Sequence, residues 1–159
     1  MENIENFLAY DAATGLFSWI QKPSKNIAIG TIAGHASKIG YIQIGFKGKL
    51  YLGHRIAWLL FYKENPPKYI DHINCNKGDN RIENLRSATN AQNMSNMSKT
   101  KRNSTGFKGV SFHKKLGKYI ASIGHKGKCI YIGLYNTPEE AHAAYCAEAK
   151  KLHGPYFCV

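Results

Sequence analysis

The chain has 159 residues, enough for one ordinary domain or two small ones. Its 22 Lys and Arg against 10 Asp and Glu give a formal charge of +12, which favours a polyanionic partner, nucleic acid above all. The longest apolar stretch, Ile56 to Tyr62, is too short to span a bilayer. The acidic opening Met1–Glu5 lacks the apolar run of a cleavable signal, and no Cys-x-x-Cys pair suggests a zinc ribbon.

In chain order, Ile4 to Tyr10 reads as a short helix, Asp11 to Gly15 as a turn, and Leu16 to Ile20 as a strand. Residues 21–38 read as loops. Tyr41 to Phe46 and Leu50 to Leu52 read as a hairpin closed at Lys47-Gly48-Lys49. Arg55 to Tyr62 has Ile56, Leu59 and Leu60 on one helical face, and Asn65-Pro66-Pro67 is expected to end it. Tyr69 to His72 is a short strand, Asn74 to Asn80 a polar loop, and Arg81 to Arg86 an extended or irregular segment. A helix is expected from about Thr89 to Met97, capped by Ser87 or Thr89.

Residues 98–105, SKTKRNST, lack apolar periodicity and read as a basic linker. Three strands follow, Phe107 to His113, Lys118 to His125 and Lys128 to Tyr135. In the last, Ile130, Ile132 and Leu134 are expected to share one face. A final helix is marked by Thr137 as cap, Pro138 in its first turn and Glu140 closing a capping box, with Gly154-Pro155 as its stop. Residues 99–159 carry 11 basic against 3 acidic residues, and residues 1–98 carry 11 against 7. The C-terminal part is therefore the stronger electrostatic footprint.

The chemistry concentrates in Asp71-His72-Ile73-Asn74, with Asn84 and Asn93 downstream. Cutting a phosphodiester needs a base for the attacking water and positive charge for the phosphorane oxygens and the leaving 3′ oxygen. Histidine suits the first task because its ordinary pKa lies near neutrality. A hard divalent ion bound by oxygen suits the second. Neighbours on a regular strand point to opposite faces, so Asp71 and His72 can share one site only where the strand ends or bends.

The stretch IDHINCNKGDNRIENLRSATNAQNMSN, preceded by His54-Arg55-Ile56-Ala57-Trp58, resembles the HNH homing-type endonucleases of phages. The resemblance implies a ββα-metal fold. It makes His72 the general base and gives Asp71 and Asn93 a single Mg²⁺, or another divalent cation such as Mn²⁺. Asn84 would brace the loop and orient His72, and Arg81 and Arg86 would contact phosphates. Its context is a bacterial or phage-infected host cell, which together with thiols expected to be reduced points to an intracellular, cytoplasmic protein.

Phe107-Lys108-Gly109-Val110, Gly117-Lys118-Tyr119-Ile120-Ala121, Tyr131 to Tyr135, Thr137 to Tyr145 and Leu152 to Pro155 resemble the Apetala-two, or ethylene-response-factor, domain. In that family a three-stranded sheet enters the major groove of DNA and a helix backs it. The implied DNA-facing residues are Lys108, Ser111, His113, Cys129 and Tyr131. Plant members usually hold arginine at several positions occupied here by Ser111, His113, Gly124 and Cys129, which weakens base readout. Lys118, Lys126 and Lys128 remain as phosphate contacts, and Lys99, Lys101 and Arg102 form a basic strap.

The expected fold class is α+β. A β-hairpin region precedes a ββα-metal nuclease domain, and a three-stranded antiparallel sheet packed on one helix follows. The expected divisions are an accessory region 1–40, a nuclease domain 41–97, the linker 98–105 and a DNA-binding domain 106–159. The expected function is a metal-dependent endonuclease acting on double-stranded DNA, with no membrane partner. The sequence leaves oligomeric state open, a monomer being slightly favoured. The alternative is a non-catalytic DNA-binding transcriptional regulator that retains a decayed nuclease fold.

Overall fold

A computed structural model of the chain describes residues 3–95, 103–125 and 127–157. Lys99, Lys101, Arg102 and Lys126 lie outside the described residues, as does most of the expected linker. The chain divides into two compact units, Met1–Ala88 and Thr89–Val159.

The first unit opens with a single 3₁₀ turn, Ile4–Asn6, and then strand β1, Leu8–Tyr10. The expected helix over Ile4 to Tyr10 is thus cut short. Asp11 accepts the Ala13 N–H on Oδ1, Gly15 turns the chain at φ 73°, and β1 is drawn into antiparallel pairing with β2, Phe17–Trp19. Pairing outweighs a weak local helix preference here. A three-stranded sheet follows from β3 (His35–Ala36), β4 (Ile42–Phe46) and β5 (Lys49–Leu52). The β4–β5 hairpin closes through Lys47 and Gly48, both left-handed at φ 48° and 73°, as a turn with two positive φ values requires.

Helix α1, Gly53–Tyr62, buries Ile56 and Ala57. It stops before the prolines, because Lys63 turns left-handed at φ 58° and its N–H bonds the Leu59 carbonyl. Arg55 then donates to the carbonyls of Pro67, at 2.8 Å, and Pro66, at 3.3 Å, tying the proline loop back to α1. That loop leads into β6, Ile70–His72, which pairs antiparallel with β7, Leu85–Ser87. Residues from the N-terminal hairpin (Leu8, Phe17, Trp19), from β4 and α1 (Ile44, Phe46, Ile56), and from β6 and β7 (Ile70, Leu85) share one buried core. Residues 3–36 therefore belong to the body that carries β6 and β7.

The second unit begins with α2, Asn90–Ser95. Thr89 caps it reciprocally: its Oγ1 accepts the Gln92 N–H while Gln92 Oε1 accepts the Thr89 N–H. Strands β8 (Val110–His113), β9 (Lys118–His125) and β10 (Lys128–Tyr135) form an antiparallel sheet in the order β10-β9-β8. Helix α3, Pro138–His153, starts at the expected Thr137–Glu140 capping box. Its Ala141, Tyr145 and Ala149 pack with Val110, Ala121 and Ile123.

Strict alternation along β10 fails at one place. The register shifts between Tyr131 and Gly133, so Ile130 pairs with Ile123 on the helix side whereas Leu134 pairs with Ile120 on the open side. The bulge takes up Ile132 and reverses the facing of the residues beyond it.

Cys129 and Cys146 are free thiols, but Cys75 is disulfide-bonded, contrary to the expectation that all were reduced. Among the described residues no helix is long and apolar enough to cross a membrane.

Candidate active site

The β6–β7 pair carries Asp71, His72 and Arg86, and Asn84 stands just before β7. Asp71 faces Arg86 and His72 faces Leu85 in the register, and both Asp71 and His72 are only 4% exposed. Each finds a different environment, as alternation on a strand dictates. The Asp71 carboxylate receives two N–H donors from Arg86 on Oδ2. The His72 ring lies among Tyr41 (6.0 Å between centroids), His54 (5.2 Å, edge-on) and Asn80, whose Oδ1 is 3.4 Å from Nε2.

Burial holds the His72 pKa below the ordinary histidine value, opposed by the Asn80 contact and the charges of Asp71 and Asp79. The ring therefore stays neutral at neutral pH, the form a general base needs. His54, 6% exposed, is pushed further, down to about 3, by burial and then by the neighbouring His72 and Arg55.

Asn84 lies in a 3₁₀ turn, Ile82–Asn84, just before β7 and is 5% exposed. Its Oδ1 accepts the Asn74 N–H at 2.9 Å, and its Nδ2 donates to the Asp79 carbonyl at 2.8 Å. Its own carbonyl accepts the Ile73 N–H. One side chain thus clamps both ends of the 74–79 loop immediately after His72. Inside the loop, Asn74 Nδ2 donates to Asp79 Oδ2, and the Asn74 and Asn76 side chains cap nearby backbone N–H groups.

Both arginines expected to meet phosphates are engaged within the protein. Arg81 forks between Asp79 and Glu83 at 2.8 Å each, and its hydrogen bond to Asp79 is the chief cause that holds that carboxyl down at about 2. Arg86 is the buried partner of Asp71. Asn93 lies half-buried on α2, within the second unit.

In the second unit Ser111, His113, Lys118, Cys129 and Tyr131 share the sheet face opposite α3, in the pairs Ser111↔Ile120, His113↔Lys118, Cys129↔Gly124 and Tyr131↔Ser122. Tyr131 is 62% exposed. Lys108 departs from the expected grouping. It precedes β8, its carbonyl meets His142 Nδ1, and its ammonium lies 5.4 Å over the Phe157 ring, where burial lowers its pKa. Lys128 pairs with His125 and has the facing of Ile130 and Ile123, on the α3 side.

Sequence reading gave no role to Asn80, Tyr41 or His54, although Asn80 and His54 lie in the stretches that carry the family resemblance. The available signal was polar residues flanking apolar ones in segments that converge only in the folded chain.

The HNH endonuclease family matches residues 51–95. A protein of Acanthamoeba polyphaga mimivirus named "Uncharacterized HNH endonuclease L560" is 29% identical over 158 residues, covering 98% of this chain and 81% of that protein. Protein 3.8 of Escherichia phage T7 is 30% identical over 87 residues, 48% of this chain and 72% of its own length. No solved structure matches. The chain belongs to the HNH endonuclease family, and it is a nuclease.

Proposed function

We propose that the protein is a metal-dependent DNA endonuclease in which His72 is the general base, Asp71 and Asn93 hold one divalent cation, and Asn84 keeps the loop after His72 in place. The observation that carries this reading is a buried His72 at the end of β6, with the loop that follows it clamped at both ends by Asn84. Oxygen donors of the kind that Asp71 and Asn93 carry, a carboxylate and an amide carbonyl, suit a hard ion. Mg²⁺ commonly takes only one or two carboxylates and leaves its other positions to water and phosphate, and Mn²⁺ suits the same oxygens. When bound, the ion would supply positive charge for the phosphorane and the leaving oxygen. The hairpin of β6 and β7 followed by α2 is the element order of a ββα-metal fold.

His72 takes the proton from water, and Asn84 prevents the loop from displacing the ring. Arg86 neutralises Asp71 in the resting protein and keeps its carboxylate in one orientation. The open sheet face of the second unit, with Ser111, His113, Lys118 and Tyr131, lies on double-stranded DNA in the manner of an Apetala-two domain. Exposed Lys128, together with Lys99, Lys101, Arg102 and Lys126, would add phosphate contacts. Small side chains at Ser111, Gly124 and Cys129 leave few forks for base edges, so charge dominates affinity and sequence readout is weak.

Incubation of supercoiled plasmid with the purified protein, with and without Mg²⁺, tests the reading. Relaxed or linear product only with the metal is expected. Plasmid that is bound but never cut would overturn it in favour of a DNA-binding regulator.

A further inference from the structure

Asn80 is the most buried polar residue near the site, at 1% exposure. Its Oδ1 faces Nε2 of His72, and its Nδ2 is buried without a hydrogen-bond partner. A structural amide would be expected to satisfy both ends, since an orphaned buried donor costs about 1–3 kcal/mol. The contact with His72 is the one side-chain hydrogen bond that Asn80 makes among the described residues.

Asn80 is also held from three directions, two through its backbone and one at its side chain. The Asn80 carbonyl accepts the Tyr10 hydroxyl at 2.7 Å. At Gly15, left-handed at φ 73°, an added Cβ would come within 2.7 Å of the Asn80 carbonyl carbon, so the 11–15 turn lies directly against this backbone. At Gly53, the first residue of α1, an added Cβ would sit 2.8 Å from Asn80 Nδ2. The N-terminal hairpin and the start of α1 thus grip Asn80, and Asn80 faces the base.

A neutral imidazole carries one N–H, and a carbonyl oxygen can only accept. A ring nitrogen bonded to Oδ1 must therefore bear the proton, and the other ring nitrogen must carry the lone pair. We propose that Asn80 is a positioning residue that fixes the tautomer of His72, holding the proton on Nε2 so that Nδ1 is the atom that deprotonates water. The proton of the attacking water passes to Nδ1, the water oxygen forms its bond to phosphorus, and the bond from phosphorus to the 3′ oxygen breaks as that oxygen takes a proton from solvent. The doubly protonated ring then returns the Nδ1 proton to solvent and keeps Nε2–H on Asn80. Tyr10 and Gly15, far from the motif in sequence, support this arrangement through the Asn80 backbone.

This inference rests on His72 being the base. Its test reads the tautomer directly, in the full-length protein without metal or DNA. Nitrogen-15 NMR of the imidazoles, with the His72 signals assigned by their absence in His72→Gln, should show His72 as the Nε2–H tautomer at mildly alkaline pH. Asn80→Ala should mix the tautomers and lower turnover roughly 10- to 100-fold with little change in DNA affinity, the usual scale for losing a partner that orients a site histidine. Asn80→Asp, which keeps an acceptor there, should restore the Nε2–H form. A wild-type ring protonated on Nδ1, or an unchanged tautomer in Asn80→Ala, would overturn the inference even if that variant is less stable. Cleavage by His72→Ala would instead overturn the reading of His72 as base, whichever tautomer is found.

Discussion

Two nitrogens of Arg86, Nε at 2.8 Å and Nη2 at 2.7 Å, converge on a single oxygen of the Asp71 carboxylate, Oδ2. Both side chains are largely buried, at 17% and 4% exposure, and they stand opposite each other across β6 and β7. The register of a two-stranded ladder therefore neutralises the site's carboxylate.

Removing Arg86 should be costly because it strands that carboxylate in the interior. Arg86→Ala is expected to lower unfolding free energy by about 3–5 kcal/mol, the range for breaking one side of a buried ion pair. Arg86→Lys, which presents one ammonium instead of two convergent N–H groups, should fall between. Urea denaturation of the three proteins measures the order.

Asn84→Ala removes the acceptor for Asn74 N–H and the donor to the Asp79 carbonyl. Two bonds at about 1 kcal/mol each, plus the desolvation of their orphaned partners, predict a loss of about 2–3 kcal/mol. Hydrogen exchange should locate the loosening: the amides of Asn74 and Ile73 should lose protection before those of α1.

His54 gives a pH dependence of definite sign. Its folded pKa is pushed down to about 3 from the ordinary 6.5, mainly by burial. Between those values the unfolded chain binds a proton that the folded chain does not, so His54 subtracts stability as pH falls from about 6.5 towards 3 and costs nothing above that window. His54→Gln should flatten the fall of stability with acid by up to about 1.4 kcal/mol per pH unit. Equal slopes for the two proteins across this window would contradict the assignment.

In the second unit Gly109 has φ 75°, and an added Cβ would run into the Tyr145 ring. Gly109→Ala combines a left-handed alanine with overpacking and should cost about 2–4 kcal/mol. Near-ultraviolet circular dichroism and thermal melting, compared with a Gly117→Ala control whose Cβ meets open space, separate the clash from backbone strain alone.

Much of this was legible in the sequence where the signal is local. The Thr137–Glu140 capping box, the proline in the first turn of α3 and the left-handed Lys47-Gly48 hairpin turn each follow from a few adjacent residues. The Asp71-His72 motif was legible for the same reason. Other features depend on what a residue meets after folding. Leu8 to Tyr10 form a strand only because Phe17 to Trp19 return beside them, and Leu134 changes face because of one bulge at Ile132. Arg86 reads as a phosphate ligand until Asp71 is seen across the ladder. Asn80 gains its meaning from Tyr10, Gly15, Gly53 and His72, four positions that no periodicity connects.

The central claim, that His72 removes the proton from the attacking water, is tested most directly by His72→Ala, with cleavage and DNA affinity measured on the same plasmid in Mg²⁺. The account predicts that cutting falls by at least about 10²-fold, the low end of a general base's contribution, while affinity stays within about twofold. Cleavage by His72→Ala at the wild-type rate would contradict it.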